Sequence, residues 1–513
     1  MKKLLPLFLL AIAQCYSQAG SLDTSFGTGG KVLTTINNNE KAYGVVIQAD
    51  NKIVIAGYTF SDVSGNDFIC TRYNANGTLD TSFGTNGIAT FDLQLGSDDK
   101  AYSIDIQSDQ KLILAGYSDN GSNKDGVVMR LNANGTLDTT FGSSGKVFTN
   151  FSTSGNPTRQ DEYKVVKIHA LTGNIIVGGS SAITTIKSQA IIARYTSNGT
   201  LDTTFGTGGK VIDLTDVWFT GLFAIEDLAL KSNGKIIAVG WRKEIIYDAY
   251  YDAYHYHCRL NSNGTFDTTF STDGYEEEFI YGLDNRTYSV ILNANDSFYF
   301  NGYYDYYYDQ NILYTGLTNA SGTMSYQTYD FGQNKDVYNF GIAKDINGKI
   351  LSCGSIYNIA TGKYDFFLTR VLTNLSLDTT FGTNGAVSTA FENTLNFALD
   401  MKLQSDEKIV VAGYSGGKIA LARYNGSGTA ATEDFIDNER ITLHPNPANS
   451  FIEITSREGF NTDAYNVFDV NGRQIKSGSL SGNAPRIAVD ALEKGVYFIK
   501  INEGTTSLKF IKN

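Results

Sequence analysis

The sequence predicts an all-β chain: a seven-bladed β-propeller closed by an N-terminal strand, followed by a small Ig-like β-sandwich. A unit of four short strands recurs with a period near sixty residues. The repeat starts and stops out of phase by one strand, and past residue 440 a different β pattern replaces it.

The unit is clearest between Tyr43 and Leu93. Residues 43–48 and 53–58 are β-branched runs joined by the polar turn Ala49-Asp50-Asn51-Lys52, which predicts a hairpin. Residues 68–73 supply a third strand, and after an Asn-Ala-Asn-Gly-Thr turn and an LDTSFG loop, residues 88–93 supply a fourth. The first two strands are apolar on both alternating faces (Val45 and Ile47 against Val46; Ile53 and Ile55 against Val54 and Ala56), so both faces of each sheet need a cover. Face-to-face stacking of successive sheets provides it.

The aspartate of the LDT(S/T)F loop recurs at Asp23, Asp80, Asp138, Asp202, Asp267 and Asp378, in steps of 57, 58, 64, 65 and 111 residues. The last step is two periods long, and its missing member is the eroded stretch Asn319-Ala320-Ser321-Gly322-Thr323-Met324. Glycines ending the second strand, at Gly57, Gly116, Gly179, Gly240, Gly302, Gly354 and Gly413, give seven copies. The chain enters with residues 31–36, equivalent to a fourth strand with no blade before it, and its last copy stops after the third strand at residues 420–424. Residues 31–36 are therefore expected to complete the last blade. An open array would leave an apolar face at each end without the polar caps such arrays need.

These units resemble the delta-60 repeat, (A/Y)xVxxQxDxKIxxAGY followed by xxRYNxNGTLDTTFGxxG, over residues 21–424. The resemblance implies a secreted bacterial propeller-like protein with no reaction attached.

Taken in order, Lys2 and Lys3 precede an apolar run, residues 4–13, too short to span a bilayer, so residues 1–19 read as a signal peptide. No later segment is long and apolar enough to cross a membrane. Loss of Lys2 and Lys3 takes the formal charge from −12 to −14, which argues against nucleic acid as a partner. Apart from Cys15, the cysteines are Cys70, Cys258 and Cys353, an odd number in different units, so no disulfide framework is expected. Residues 20–424 form the propeller and 425–439 a flexible linker.

The repeated aspartate has two readings: a calcium ligand, or a short carboxylate that bonds nearby backbone N–H groups while Leu79 and Phe83 tuck under the blade. Repetition in nearly every unit favours the second, and no cofactor is expected otherwise. GTGGKV, at residues 27–32 and 206–211, lacks the spacing of a phosphate loop and leads into a strand.

Departures from the repeat point to a ligand site. After its second strand the fourth copy expands into an aromatic run holding Tyr250, Tyr251, Asp252 and Tyr254, and the fifth holds Tyr303, Tyr304, Asp305, Tyr306 and Tyr308. With Trp218 in the preceding inter-blade loop, these define one aromatic and acidic sector of the rim. Aromatic faces beside carboxylates suit a sugar ring, and equally a cationic or protein partner. Tyrosine also forms strands well, so part of the run can be longer strands packed between blades. His255 and His257 share a strand face and suggest zinc, but no third ligand is clear. Paired carboxylates on the rim leave glycosidase geometry open, and no nucleophile motif is legible.

Residues 440–513 resemble the C-terminal sorting domain of the type IX secretion system. The matching residues are Pro445, Asn446 and Pro447 in HPNPA, Gly472 in VFDVNGRQI, Gly495, Val496 and Tyr497 in ALEKGVYFIKI, and Lys509 in the terminal LKFIK; His444 stands where the family usually has tyrosine. The resemblance implies export across the outer membrane of a Gram-negative bacterium and release or attachment at the cell surface, with the secretion machinery as partner. The expected function is a secreted or surface binding or adhesion module for glycan or protein. A polysaccharide-active enzyme or a structural surface component are the alternatives.

Overall fold

The computed structural model describes residues 18–513 apart from 38, 95, 153–157, 213–220, 247–249, 280–283, 294, 306–309, 333–334, 393, 427–441, 445–447, 456–459, 470–473, 483–484, 502–506 and 513. Nearly all of the signal-peptide stretch and most of the linker lie outside the described residues, as do Trp218, Tyr306, Tyr308, Pro445, Asn446, Pro447 and Gly472. The chain divides into two compact units, Met1–Ala430 and Ala431–Asn513.

In the first unit the described residues form seven four-stranded antiparallel sheets, the arrangement of a β-propeller. The first sheet runs outward through Glu40–Ile47, Ile53–Ser61, Gly65–Tyr73 and Ile88–Phe91. The innermost strands of the other six are Asp98–Ile106, Gln160–Ile168, Gly221–Leu230, Asn285–Leu292, Val337–Lys344 and Asn396–Leu403. The last sheet ends on Lys418–Tyr424, and its outermost strand is Lys31–Thr34 from the other end of the chain, with Lys31 opposite Ala422 and Thr34 opposite Ile419. This is the closure that the phase of the repeat required.

Apolar side chains from both faces interlock sheet with sheet. Val54, Ala56 and Phe68 of the first sheet pack with Ala101, Leu112 and Leu114 of the second, while Val410, Ala412 and Leu421 of the last pack with Ala42, Val45 and Ile53 of the first. The stack returns on itself, so both apolar faces of every sheet have a partner.

The repeated loop is a strut. Arg130 Nε donates to Asp138 Oδ2 (2.8 Å), its guanidinium lies 4.7 Å from the centre of the Phe141 ring, and its NH1 donates to the Ser197 carbonyl of the next unit's turn (2.7 Å). Arg72, Arg194, Arg259, Arg370 and Arg423 do the same with Asp80, Asp202, Asp267, Asp378 and Asp23. At five of the six a lysine adds a second cation, as Lys111 does to Asp138 (2.9 Å), while Asp202 faces Arg194, so side-chain cations meet each of these carboxylates. In the eroded fifth copy Leu317 replaces the arginine, and the aspartate is lost with it.

The second unit packs a three-stranded sheet (Thr442–His444, Phe451–Thr455, Arg486–Ala488) with a four-stranded one (Gln474–Gly482, Phe460–Asp469, Gly495–Ile501, Ser507–Lys512). Its core holds Ile452, Ile454, Val467, Leu480, Ile499 and Phe510. Tyr497 is buried, stacks 5.5 Å from Phe510 and donates its hydroxyl to the Glu493 carbonyl (3.0 Å). Among the described residues no helix is long and apolar enough to cross a membrane.

Candidate functional site: an aromatic mouth on the central channel

Each of the seven inner strands carries one residue too many for its partner. The register slips at Tyr43, Tyr102, Lys164, Glu226, Tyr288, Phe340 and Leu399, the marks of a β-bulge repeated in every sheet. All seven line a central channel of about 820 Å³, toward the end where the inner strands begin. The bulge also explains the repeated glycine on the neighbouring strand: a Cβ on Gly116 would collide with the Lys100 carbonyl oxygen, and one on Gly57 with that of Lys41.

The bulged residues and their neighbours form two aromatic runs. Tyr43 stacks on Tyr58 (5.9 Å between ring centres) and meets Tyr102 edge-on (5.0 Å), and Tyr102 reaches Tyr117 (5.8 Å). Across the channel Tyr288 stacks on Tyr303 (5.5 Å) and meets Phe340 (5.1 Å), Tyr303 meets Tyr338 (4.9 Å), and Phe397 joins Tyr364 (5.2 Å) to Tyr414 (5.4 Å). Charges are threaded between the rings. Lys164 lies 4.2 Å over Tyr102 and 2.7 Å from Glu162, Lys41 lies 4.8 Å over Tyr414, and Arg286 lies 4.6 Å over Trp241, whose Nε1 donates to Glu226 (2.8 Å).

Burial pushes the phenols of Tyr43 and Tyr102 well above their usual range, and that of Tyr288 up to about 12 despite the opposing Arg286 charge. All remain protonated donors at neutral pH. Burial raises Glu162, but Lys164 and Lys124 outweigh it and lower the carboxyl to about 2, so it stays an acceptor. Deeper in the channel the acids are spent on structure: Asp400 accepts the Val45 N–H (3.0 Å), Asp105 the Ile168 N–H (2.7 Å) and Asp227 the Val290 N–H (3.0 Å), each tying one sheet to another. The mouth presents half-buried ring faces beside fixed donors and acceptors.

The described members of the rim set stand at several places in the fourth and fifth sheets. Tyr303 stands in the aromatic mouth; Tyr304 is 5 % exposed and packs in the core with Phe298, Phe300 and Tyr314. Tyr250, Tyr251 and Asp252 extend the third strand of the fourth sheet opposite Ile246, Ile245 and Glu244, so this part of the run is a longer hairpin. Tyr254 lies half-buried on that strand against Phe279, and Asp305 ends the second strand of the fifth sheet, donating its N–H to the Asp284 carbonyl (3.1 Å). His255 and His257 are fully buried between sheets: His255 Nε2 meets His257 Nδ1 at 2.6 Å, His255 Nδ1 meets Thr287, and the rings pack on Phe298 and Phe300. The mouth itself escaped the sequence reading. Its signal was an aromatic at one fixed place in four copies: Tyr43, Tyr102, Tyr288 and Phe340.

The fold and this channel define a β-propeller with an aromatic-lined axial channel. Residues 48–83, 107–141, 172–205, 347–381 and 404–430 match the family described as a domain of unknown function (DUF5122) beta-propeller, and residues 442–513 match the secretion system C-terminal sorting domain. The chain is thus a β-propeller protein with a type IX sorting domain, which directs it to the outer surface of a Gram-negative bacterium. A search among curated proteins returns no match. Similar solved structures include a catalytically inactive virginiamycin B lyase from Staphylococcus aureus (11 % identity, TM-score 0.41, covering 76 % of this chain and 98 % of that one). Others are the β-propeller domain of the Trilobed protease from Pyrococcus furiosus (10 %, 0.38, 79 % and 100 %) and the polysaccharide lyase Uly1 (9 %, 0.34, 75 % and 88 %).

Proposed function

We propose that the propeller is a surface-displayed binding module whose ligand is a glycan seated on the channel mouth. The observation that carries this is the pair of aromatic runs interleaved with Glu162, Glu226, Lys41 and Arg286. The C–H faces of a sugar pack on tyrosine rings while its hydroxyls bond carboxylates and ammonium groups. The sorting domain delivers such a module to where polysaccharides are met.

Thermal unfolding of the full chain against a polysaccharide panel tests this reading. A ligand should raise the midpoint, and Tyr102→Ala or Phe340→Ala should each weaken binding about tenfold, the loss of one stacking contact. Tyr251→Ala should leave affinity unchanged. The opposite pattern would move the ligand to the outer hairpin, and a panel without any shift would turn the search to protein partners. Shortening of the bound polysaccharide would make the module an enzyme.

A further inference from the structure

Asp67 lies on the third strand of the first sheet, Asp92 just past its outer strand, and Asp99 on the inner strand of the second. One carboxylate oxygen from each lies within 4.8 Å of the others. Asp67 is 5 % exposed and Asp99 fully buried. Asp99 accepts from the Leu93 N–H and the Ser97 hydroxyl (both 2.7 Å), Asp67 Oδ2 from the Ser64 hydroxyl (2.6 Å), and Asp92 Oδ2 from the Gly96 N–H (3.1 Å). Asp67 Oδ1 and Asp92 Oδ1 are buried with no donor.

The repeat supplies its own controls. At the next boundary the same three places hold Asp125, Asn150 and Asp161. There the Asn150 amide donates to Asp125 (2.7 Å), and the Phe151 N–H meets Asp161 as Leu93 meets Asp99. At the boundary before the last sheet, Asn396 takes the inner-strand place and its amide faces Asp365 (3.5 Å). At the second boundary an amide donor stands where the first has its third carboxylate, and before the last sheet Ala390 and Asn396 leave Asp365 as the one carboxylate of the three places.

We propose that Asp67, Asp92 and Asp99 bind a calcium ion that clamps the first sheet to the second. Three hard oxygen donors suit that ion, and oxygens no more than 4.8 Å apart lie within reach of one ion through calcium–oxygen bonds of about 2.4 Å. The site is independent of the glycan reading.

Calorimetric titration and thermal unfolding of the EGTA-stripped full chain test it. With the affinity of an extracellular module, about 10 mM calcium should raise the midpoint by roughly 3 °C, and chelation should reverse the shift. Asp92→Asn installs the amide found next door, so it should stay folded and lose the calcium response; Asp67→Asn should lose it too. A wild-type chain giving neither heat nor shift overturns the proposal, as does a full response in both variants.

Discussion

At the scale of single residues, two sets of buried ionisable groups give the fold an acid limit with two distinct windows. Burial lowers both His255 and His257, the second to about 3, and the His257 charge adds to the effect on His255. Both are neutral in the fold, whereas in the unfolded chain they titrate near the ordinary value of about 6.5. Stability from this pair is therefore complete above about pH 6.5 and declines below it, by up to about 1.4 kcal/mol per pH unit for each histidine. The strut aspartates act lower. Burial raises Asp23, but Ser25, Lys408 and Arg423 outweigh it and hold the carboxyl at about 2, so its contribution is complete above about pH 4 and lost as pH falls through 2. Urea unfolding followed against pH should show a first decline from about pH 6.5 and a steeper one below about pH 4. His257→Phe should remove its share of the first slope and leave the second. A profile flat from pH 7 to 4 would mean that the pair takes up its protons in the fold over the same range as in the unfolded chain.

At the scale of the strand, the bulge connects the repeat to the site. Periodicity made the strands legible, because Val45, Val46, Ile53 and Val54 leave little choice of structure. It hid the mouth for a physical reason: one extra residue inverts the in–out alternation, so Tyr43 and Tyr102 reach the channel from a strand whose pattern looks uninterrupted. The Tyr303-Tyr304 pair misleads in the same way, since adjacent strand residues point to opposite sides and only Tyr303 reaches the mouth. The glycine opposite each bulge was visible as a counter of copies, but its cause, the approach of a carbonyl oxygen, required the fold. Gly116→Ala tests the connection. The added methyl has to displace the Lys100 carbonyl, a strain of about 2 kcal/mol, and with it the bulge that presents Tyr102. Both a lower unfolding midpoint and weaker ligand binding are expected; loss of stability with binding intact would separate the bulge from the site.

At the scale of the whole propeller, stability depends on joining chain ends that lie some four hundred residues apart. Lys31–Thr34 pairs with Lys418–Tyr424, Asp23 accepts from Arg423 (2.7 Å) and Lys408 (3.0 Å), and the Arg423 guanidinium lies 4.7 Å from the centre of the Phe26 ring. A chain beginning at Asn37 would lose all of these at once. Arg423 would keep a buried charge without its carboxylate, which costs about 3 kcal/mol or more, and the Lys418–Tyr424 strand would become a free edge. The shortened chain should therefore melt earlier and self-associate on gel filtration. A peptide of residues 20–36 supplied in trans should add back the missing strand and restore both the midpoint and the monomer. If the shortened chain instead melts with the full-length protein and stays monomeric, packing between the first and last sheets closes the ring by itself, and the terminal strand only seals it.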